Sequence, residues 1–384
     1  MANRSGLLAK LAEDDLNCGY PKDITYVRLT LLSCAGVVAL VGVVLNLILA
    51  CMFVKKQNLK KEPDLAILAA MDALLCLCYI LFFLVEPIAL KFRVRWLYDM
   101  FYFYLKHGLI LSKIVQLAIP MLLIMISVQR WTWVTSRHQG KWRVLHTFHG
   151  RLSISCFLLL AAVAVRAPLC WAFFLKHFPN CSDHFLSNEL WSLDLNSSNW
   201  YYYYDLCCTC LQVFVPLLLL LLCQGAVVLK LRSIRKEKQT HMFRRALLLI
   251  SVPVQREKQT RSSLTLANLL CVERLSKTAV QDVRAAFVSE NNAARSMWVI
   301  VLLYLVCNVL HSAVTVVELW LPSMIIDRDG WVFLYVTACD AVSFGFMLCS
   351  ASRLCIHYRF NPLIRKQLST CFCSKNNNKL EVFL

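Results

Sequence analysis

The chain has 384 residues, of which 59% are hydrophobic and only 17% are charged, and its formal net charge is +18. A water-soluble fold of this length could not bury so much hydrocarbon, since soluble domains are about 45–50% apolar. The nineteen cysteines do not indicate a secreted disulfide scaffold, because most of them lie within apolar runs and are small buried hydrophobes there. The composition therefore excludes an ordinary soluble domain and favours a membrane protein.

Seven apolar runs are each long enough to cross a membrane as a helix, which needs about 20 residues. In chain order they are Leu29–Val54, Leu65–Leu90, Phe101–Val128, Leu152–Phe174, Asp205–Val228, Met297–Leu319 and Trp331–Ala351. The apolar run Ala246–Val254 is too short to cross and is expected to belong to a loop. The sequence therefore predicts an all-α membrane protein, a seven-transmembrane helix bundle.

The distribution of lysine and arginine predicts the orientation of these spans. Basic residues collect in the loops after the first, third and fifth spans and in the tail, which the positive-inside rule places in the cytoplasm. Lys91, Arg93 and Arg95 are the local exception. Sequons for N-glycosylation lie in segments that this orientation places outside, starting at Asn3, Asn180 and Asn196. We expect a multi-pass plasma-membrane protein with an extracellular N-terminus and a cytoplasmic C-terminus.

This orientation divides the chain into three parts. Residues 1–28 are expected to form an extracellular N-terminus, and residues 29–358 the seven-transmembrane domain with a long third intracellular loop at about 230–295. Residues 359–384 are expected to be cytoplasmic. We see no catalytic constellation, and Cys207, Cys208 and Cys210 are interpreted as buried thiols of an apolar helix rather than metal ligands. The sequence predicts no enzyme activity, metal or cofactor.

Several residues within the spans form recognisable motifs. The first span carries GVVLNLILA with Asn46, and the second carries LAAMDALL with Asp72. The third ends in SVQRW, a variant of a D/E-R-Y triplet made by Gln129, Arg130 and Trp131. The fifth contains Pro216. The sixth reads YLVCNVL, a degenerate form of the motif F-x-x-C-W-x-P that begins at Tyr304 and keeps the cysteine, Cys307. This set resembles the rhodopsin-like (class A) G-protein-coupled receptors, in particular invertebrate FMRFamide-type neuropeptide receptors and related nematode chemoreceptors.

The seventh span allows two alignments with the N-P-x-x-Y motif of this family. FNPLIRKQL contains Asn361-Pro362, but using it would bring three bases into a membrane helix at a high cost without partners, namely Arg353, His357 and Arg359. We favour SASRLCIHY, in which Tyr358 is the motif tyrosine. FNPLIRKQL then resembles the family's short amphipathic eighth helix, and Cys371 and Cys373 become candidate palmitoylation sites.

The resemblance implies that Arg130 pairs with an acid in the resting receptor and is released when the helices move. The triplet's own acid is replaced by Gln129, so Glu290 is the remaining candidate. An arginine that only extends to the membrane surface is the alternative. The residues implied in G-protein coupling and activation are Gln129, Arg130, Trp131, Glu290, Tyr304 and Tyr358.

Asp72 lies in mid-membrane, where an ionised carboxylate is costly and usually functional. In the family this acid belongs to a sodium pocket. Here the matching position on the third span is the apolar Ile119, and the seventh span offers only Ser350 nearby. A sodium ligand and a water-bridged structural acid both remain open. The expected polar network of the core is Asn46, Asp72 and Ser350.

Ligand capture is expected at the outer ends of the spans. The candidate residues are Glu86, Trp96, Lys113, Arg166, Asp205, His311, Glu318 and Asp340. If the ligand is a peptide that ends in an arginine-aromatic amide, its guanidinium needs a carboxylate, for which we favour Glu86, Asp205 and Asp340. For each acid, an ordinary position at a helix end is the alternative.

The family also joins a cysteine at the top of its third helix to one in the second outer loop. Cys181 is in that loop, but Leu105 occupies the position on the third span. The only other cysteine in the predicted outer segments is Cys18, so we predict a Cys18–Cys181 disulfide, with a free Cys181 as the alternative.

The resemblance implies a receptor that transduces an extracellular ligand to a heterotrimeric G protein, with a neuropeptide of the FMRFamide kind as the favoured ligand. A small-molecule chemoreceptor is the alternative within the class, and a multi-pass transporter is the alternative outside it. The expected partners are the ligand, the G protein and membrane lipid, and no nucleic acid.

Overall fold

The computed structural model describes residues 18, 24–54, 62–135, 141–179, 181–192, 199–230, 233, 295–317, 329–362 and 364–369. Several predicted sites lie outside these residues and stay predictions: Asn3, Asn180, Asn196, Glu290, Cys371 and Cys373. The side chain of Asp205 also lies outside the described part, although its backbone belongs to a described helix.

Within the described residues, seven helices are long and apolar enough to cross a membrane. We call them spans 1 to 7 in chain order: Tyr26–Val54, Pro63–Lys91, Arg95–Trp133, Phe148–Ala172, Leu206–Lys230, Arg295–Val317 and Leu334–Phe360. The predicted fold class, an all-α membrane protein with seven helices, is therefore confirmed. Span 3 begins earlier than predicted, because its helix Arg95–Val134 is 40 residues long and starts six residues before Phe101. Span 7 differs most, since it ends at Phe360, nine residues after the predicted Ala351.

Prolines divide two of the spans. Span 2 consists of Pro63–Phe83 and Val85–Lys91, separated at Leu84. Pro87 has no N–H to donate to the carbonyl of Phe83, so the helix loses a hydrogen bond at this point. Span 4 consists of Phe148–Arg166 and Leu169–Ala172, and the separation falls at Pro168 for the same reason.

Span 5 contains a widened turn in front of its proline. The helix Asn199–Thr209 is followed by a π-helical turn at Cys210–Phe214, and residues 215–230 continue as α-helix. Pro216 cannot donate to the carbonyl four residues before it. One carbonyl of the turn receives a bond from another span, because Asn308 Nδ2 donates to Val213 O at 2.8 Å. Asn308 stands where the family motif has a tryptophan.

Span 7 continues past its predicted end. The helix Asp329–Ala351 is followed by a single turn residue, Ser352, and then by the helix Arg353–Phe360. Residues 364–369 are again helical. This segment coincides with the predicted eighth helix but is too short to define one, so the eighth helix stays a prediction.

A β-hairpin joins spans 4 and 5, which the sequence did not predict. Strands β1 (Phe173–His177) and β2 (Asn188–Ser192) pair antiparallel, with Phe173 opposite Ser192. A short 3-10 turn, His184–Leu186, lies between them, and another, Lys141–His146, precedes span 4. In the hairpin loop, Cys181 forms a disulfide with Cys18, the pair that the sequence had singled out.

The start of span 3 holds this hairpin in place. The hydroxyl of Tyr98 accepts a hydrogen bond from Asn188 N at 3.1 Å. Arg93 pairs with Asp183 at 3.0 Å, and Lys91 donates to Ile24 O at 3.0 Å. Two of the three basic residues that broke the charge pattern in the sequence, Lys91 and Arg93, therefore have partners at this end of the molecule.

The chain divides into two compact units. The larger unit contains Met1–Ile126, Arg143–Leu221 and Val301–Leu354, and the smaller one Ser127–Trp142, Leu222–Ile300 and Cys355–Leu384. In the smaller unit, Gln224 Nε2 donates to Ser127 Oγ at 3.0 Å. In the larger unit, Ala39, Cys76, Met347 and other small or apolar side chains of spans 1, 2 and 7 form a buried core.

Gly42 allows spans 1, 2 and 7 to approach one another closely in this core. A β-carbon at Gly42 would lie 2.8 Å from Cβ of Ala351 and 2.9 Å from Sγ of Cys76, both shorter than a normal contact. The core therefore depends on the absence of a side chain at this position, and polar residues lie one helical turn away from it.

Candidate functional site

A network of polar side chains joins spans 1, 2 and 7 next to Gly42. Asn46 Nδ2 donates to the carbonyls of Gly42 and Ser350, each at 2.9 Å. Ser350 Oγ donates to Asp72 Oδ1 at 2.8 Å. Asn46, Asp72 and Ser350 are all buried. The three residues expected in the core network are thus in contact within the larger unit.

A fourth residue, Arg353, completes this network. Its guanidinium Nη1 lies 2.5 Å from Asp72 Oδ2, and the residue is only 1% exposed. The cost of an unpaired base inside a membrane helix does not apply to Arg353, because Asp72 supplies the opposite charge. The carboxylate of Asp72 therefore faces a cation of the protein itself. The sequence had left open a sodium ion or a bridging water as its partner, but not an arginine.

A cavity of about 450 Å³ lies beside this ion pair, within the larger unit. Its volume is in the range of small-molecule sites, about 300–1,000 Å³. On span 3 its lining runs from Leu109 to Ile119, which is about 15 Å of helix. Phe173 at the start of β1 lines it, as do Ser350 and Arg353 of the buried network. The cavity thus extends from the hairpin to the ion pair.

The walls of the cavity are mainly apolar and aromatic, but every charged side chain in the described lining is basic. Besides Arg353, these are Lys113, Arg166 and the titratable His311. No aspartate or glutamate is among the lining residues that the structure describes. An apolar pocket with a few convergent polar groups is the usual form of a ligand site.

Arg166 of span 4 is fixed in this cavity by glutamines. It is 4% exposed and donates through Nη2 to Gln212 Oε1 of span 5. Gln212 Nε2 donates to Gln116 Oε1 at 3.2 Å, and Gln116 Nε2 donates to Ser112 Oγ at 3.3 Å, both on span 3. This chain of neutral amides orients the guanidinium but supplies no negative charge.

The structure brings only part of the predicted ligand set together. Lys113, Arg166 and His311 line the cavity, whereas Glu86, Trp96 and Asp340 are not among its lining residues. Glu318 lies outside the described residues. Trp96 is 68% exposed. Asp340 instead pairs with Arg28 of span 1 at 3.0 Å. The prediction that these acids receive a guanidinium from a peptide is not tested by these contacts and stays a prediction.

The predicted coupling residues are distributed over both units. In the smaller unit, Gln129 is buried while Arg130 and Trp131 are half-buried at the end of span 3. Tyr358, also in the smaller unit, is half exposed, with the guanidinium of Arg365 5.8 Å from its ring centre. Tyr304 differs, because it lies in the larger unit and lines the cavity. The structure thus associates Tyr304 with the cavity.

Sequence reasoning missed three residues of this site as functional: Arg353, Gln116 and Gln212. The two glutamines were visible as polar residues within apolar runs, which are rare in membrane helices and often functional. Arg353 was visible too, but it had been placed beyond the end of span 7, so that Asp72 was not considered as its partner. Among the described residues there is no group of histidine, cysteine and acidic side chains that could hold a metal ion.

The fold is that of a known membrane protein. The structure is similar to the crystal structure of squid rhodopsin, with a TM-score of 0.61 over 92% of this chain and 82% of that chain, at 16% sequence identity. No protein-family model matches the sequence, and no curated protein sequence is significantly similar to it. At this identity the comparison establishes the fold alone, and the seven long apolar helices of the chain indicate a multi-pass membrane protein.

Proposed function

We propose that the chain is a G-protein-coupled receptor that binds an extracellular ligand in the cavity and couples to a heterotrimeric G protein. The observation that carries this proposal is the similarity to squid rhodopsin over 92% of the chain. The motif residues around Asn46, Asp72 and Arg130 support it independently, since the sequence shows them in the order that the receptor family has.

We place the hairpin end outside the cell and the C-terminal tail in the cytoplasm. Basic residues and sequons in the sequence support this orientation. The Cys18–Cys181 disulfide supports it as well, because disulfides persist in oxidising compartments and are rare in the cytosol. Epitope tags at the two ends test it: on intact cells only the N-terminal tag should be accessible, and equal accessibility of both tags would contradict the orientation.

In this receptor the ligand acts by favouring one helix arrangement over another, which requires a difference in affinity between the two. The cavity is lined by spans 2 to 7, so a ligand there contacts most of the elements that would move. Arg130 and Gln129 at the end of span 3 would contact the G protein. With Gln129 in place of an acid, the resting lock depends on Glu290, which remains to be tested.

The cavity favours a small molecule over an amidated peptide as ligand. The peptide hypothesis needs a carboxylate for the arginine side chain, and Asp340 is already paired with Arg28. The peptide hypothesis therefore depends on Glu86 and Asp205. Asp205→Asn distinguishes the peptide hypothesis from the small-molecule hypothesis. The variant should lose its response to an amidated peptide but keep its response to a small molecule that does not need this acid.

Coupling is tested with the full-length chain in lipid nanodiscs and a purified G protein, by following nucleotide exchange. We expect ligand-stimulated exchange that Arg130→Ala abolishes while ligand binding is retained. Arg93→Gln is the matched control, since Arg93 is an exposed arginine that pairs with Asp183 at the hairpin end. Unchanged exchange in Arg130→Ala would contradict the assignment of Arg130 to coupling.

A further inference from the structure

We propose that the cavity binds a small organic acid with an apolar body, and that Arg166 holds its carboxylate. The proposal deepens the proposed function, because it names the ligand class for the same cavity. It rests on the charge of the lining, on the burial of Arg166, and on a hydrogen-bond donor of Arg166 that the described part of the protein leaves unused.

Arg166 is a buried charge whose described protein contacts are neutral. Its Nη2 donates to Gln212, and its Nε has no hydrogen-bond partner among the described residues. Burying a cation without an opposite charge is expensive, and an unused buried N–H adds to the cost. An anion supplied by a ligand would offset this cost.

Arg353, the other buried guanidinium of the cavity lining, does not need a ligand in the same way. Its charge faces Asp72 at 2.5 Å within the protein. Of the two buried guanidiniums in the described lining, the one that faces no opposite charge is therefore Arg166, which lies on span 4, whereas the Asp72–Arg353 pair joins spans 2 and 7.

A carboxylate fits Arg166 better than a neutral polar group. It carries one negative charge against one positive charge, and its two oxygens can accept from Nε and a second N–H of the guanidinium at once. Gln212 and Gln116 fix the guanidinium in advance, which lowers the entropy lost on binding. Lys113 and His311 of the same lining offer further N–H donors to the acid.

The rest of the ligand should be apolar. The remaining wall is formed largely by aliphatic and aromatic side chains, among them Leu75, Tyr79, Phe82, Leu109, Phe346 and Met347. Enclosing hydrocarbon here contributes about 25 cal/mol per Å² of apolar surface removed from water. A polar body such as a sugar would instead lose its hydration without finding enough partners. The lining therefore selects an amphiphile with one acidic end.

The first experiment compares acids with uncharged analogues of the same length. The purified full-length chain is titrated with octanoic, decanoic and phenylbutyric acids, and with the matching alcohols and primary amides, below the concentrations at which they form micelles. Thermal denaturation and equilibrium binding are the readouts. We expect at least one acid to bind and raise the melting temperature while its alcohol and amide do so much more weakly. Equal effects of acid and alcohol, or no effect of any acid, would overturn the proposal.

The second experiment changes Arg166. Arg166→Gln should weaken acid binding on the order of 30-fold or more, as expected for removing one partner of a buried charge pair. Arg166→Lys should retain part of the affinity because it keeps the charge but not the bidentate geometry. Arg93→Gln, the exposed control arginine, should bind the acid like the wild type. Unchanged binding in Arg166→Gln would overturn the proposal.

A third measurement distinguishes a ligand site from a structural arginine. Without ligand, Arg166→Gln should melt at the same temperature as the wild type or higher, because it removes an uncompensated buried charge. A clear fall would show that Arg166 is required for folding and would contradict the proposal. None of these measurements needs a G protein. Acid binding without nucleotide exchange would therefore contradict the proposed function alone, and exchange driven by a ligand without an acidic group would contradict this inference alone.

Discussion

Arg353 and Arg166 are buried arginines of the same cavity lining, and they differ in what faces them. Arg353 contacts the carboxylate of Asp72, which Ser350 also binds. Arg166 instead contacts the neutral amide of Gln212. The first arginine completes an internal ion pair, whereas the second presents its charge to the cavity. The comparison indicates that a membrane protein can use the same side chain for structure and for ligand recognition, depending on whether an acid lies beside it.

The largest effect is expected from breaking the internal pair. Asp72→Asn leaves the guanidinium of Arg353 without a negative charge beside it, and Arg353→Met leaves the carboxylate of Asp72 without a positive charge. We expect each change to lower the free energy of unfolding by about 3–5 kcal/mol. The double variant should recover most of this loss, since the amide introduced by Asp72→Asn would still accept a hydrogen bond from Ser350. Thermal denaturation of the purified chain measures all three, and additive losses in the double variant would contradict a direct pair.

A smaller effect is expected from the packing that surrounds the pair. Gly42→Ala adds a methyl group 2.8 Å from Cβ of Ala351, next to Ser350. Overpacking of this kind costs about 1–3 kcal/mol. Gly225→Ala is the matched control, because a β-carbon at Gly225 meets no atom within 4 Å and alanine favours the helix. If both variants melt at the same temperature, the close approach of the spans is not required.

The Arg28–Asp340 pair should contribute less than the internal pair. Its side chains are 39% and 21% exposed, and such partly solvated pairs are worth about 0.2–1 kcal/mol. Arg28→Gln should therefore lower the melting temperature only slightly, and less in high salt. If Arg28→Gln lowered the free energy of unfolding as much as Arg353→Met does, solvent exposure would not explain a difference in strength between the two ion pairs.

The smallest expected effect is that of sodium. Because a guanidinium already faces Asp72, exchanging sodium for potassium at constant ionic strength should leave the melting temperature of the wild type unchanged. Arg353→Met frees the carboxylate and should introduce a dependence on sodium. Specific stabilisation of the wild type by sodium would contradict the view that Arg353 takes the place of the ion.

The sequence alone was sufficient to predict the seven spans, because each is a run of apolar residues long enough to cross the thickness of a membrane. It also brought Asn46, Asp72 and Ser350 into one network, since the motifs assign them to facing helices. It did not predict the β-hairpin Phe173–Ser192, whose strands are short and lie between two long helices. Nor did it predict the partner of Arg353, because a pair between remote spans depends on how the helices rotate and extend.

The lining of the cavity was predicted only in part for a related reason. Lys113, Arg166 and His311 were singled out because charged or titratable residues in apolar runs are conspicuous. Asp340 was conspicuous as well, but its direction on the helix decided its role, and it points to Arg28. Charge can be counted along a sequence, whereas compensation of charge requires the positions of side chains.

The most direct test compares Arg353→Gln with Arg166→Gln in the same detergent, without ligand, by thermal denaturation. We predict a marked fall in melting temperature for Arg353→Gln, which leaves Asp72 unpaired, and no fall for Arg166→Gln. Equal falls in both variants would contradict the central claim. That claim is that Asp72 balances the charge of Arg353, whereas the charge of Arg166 is available to an acidic ligand.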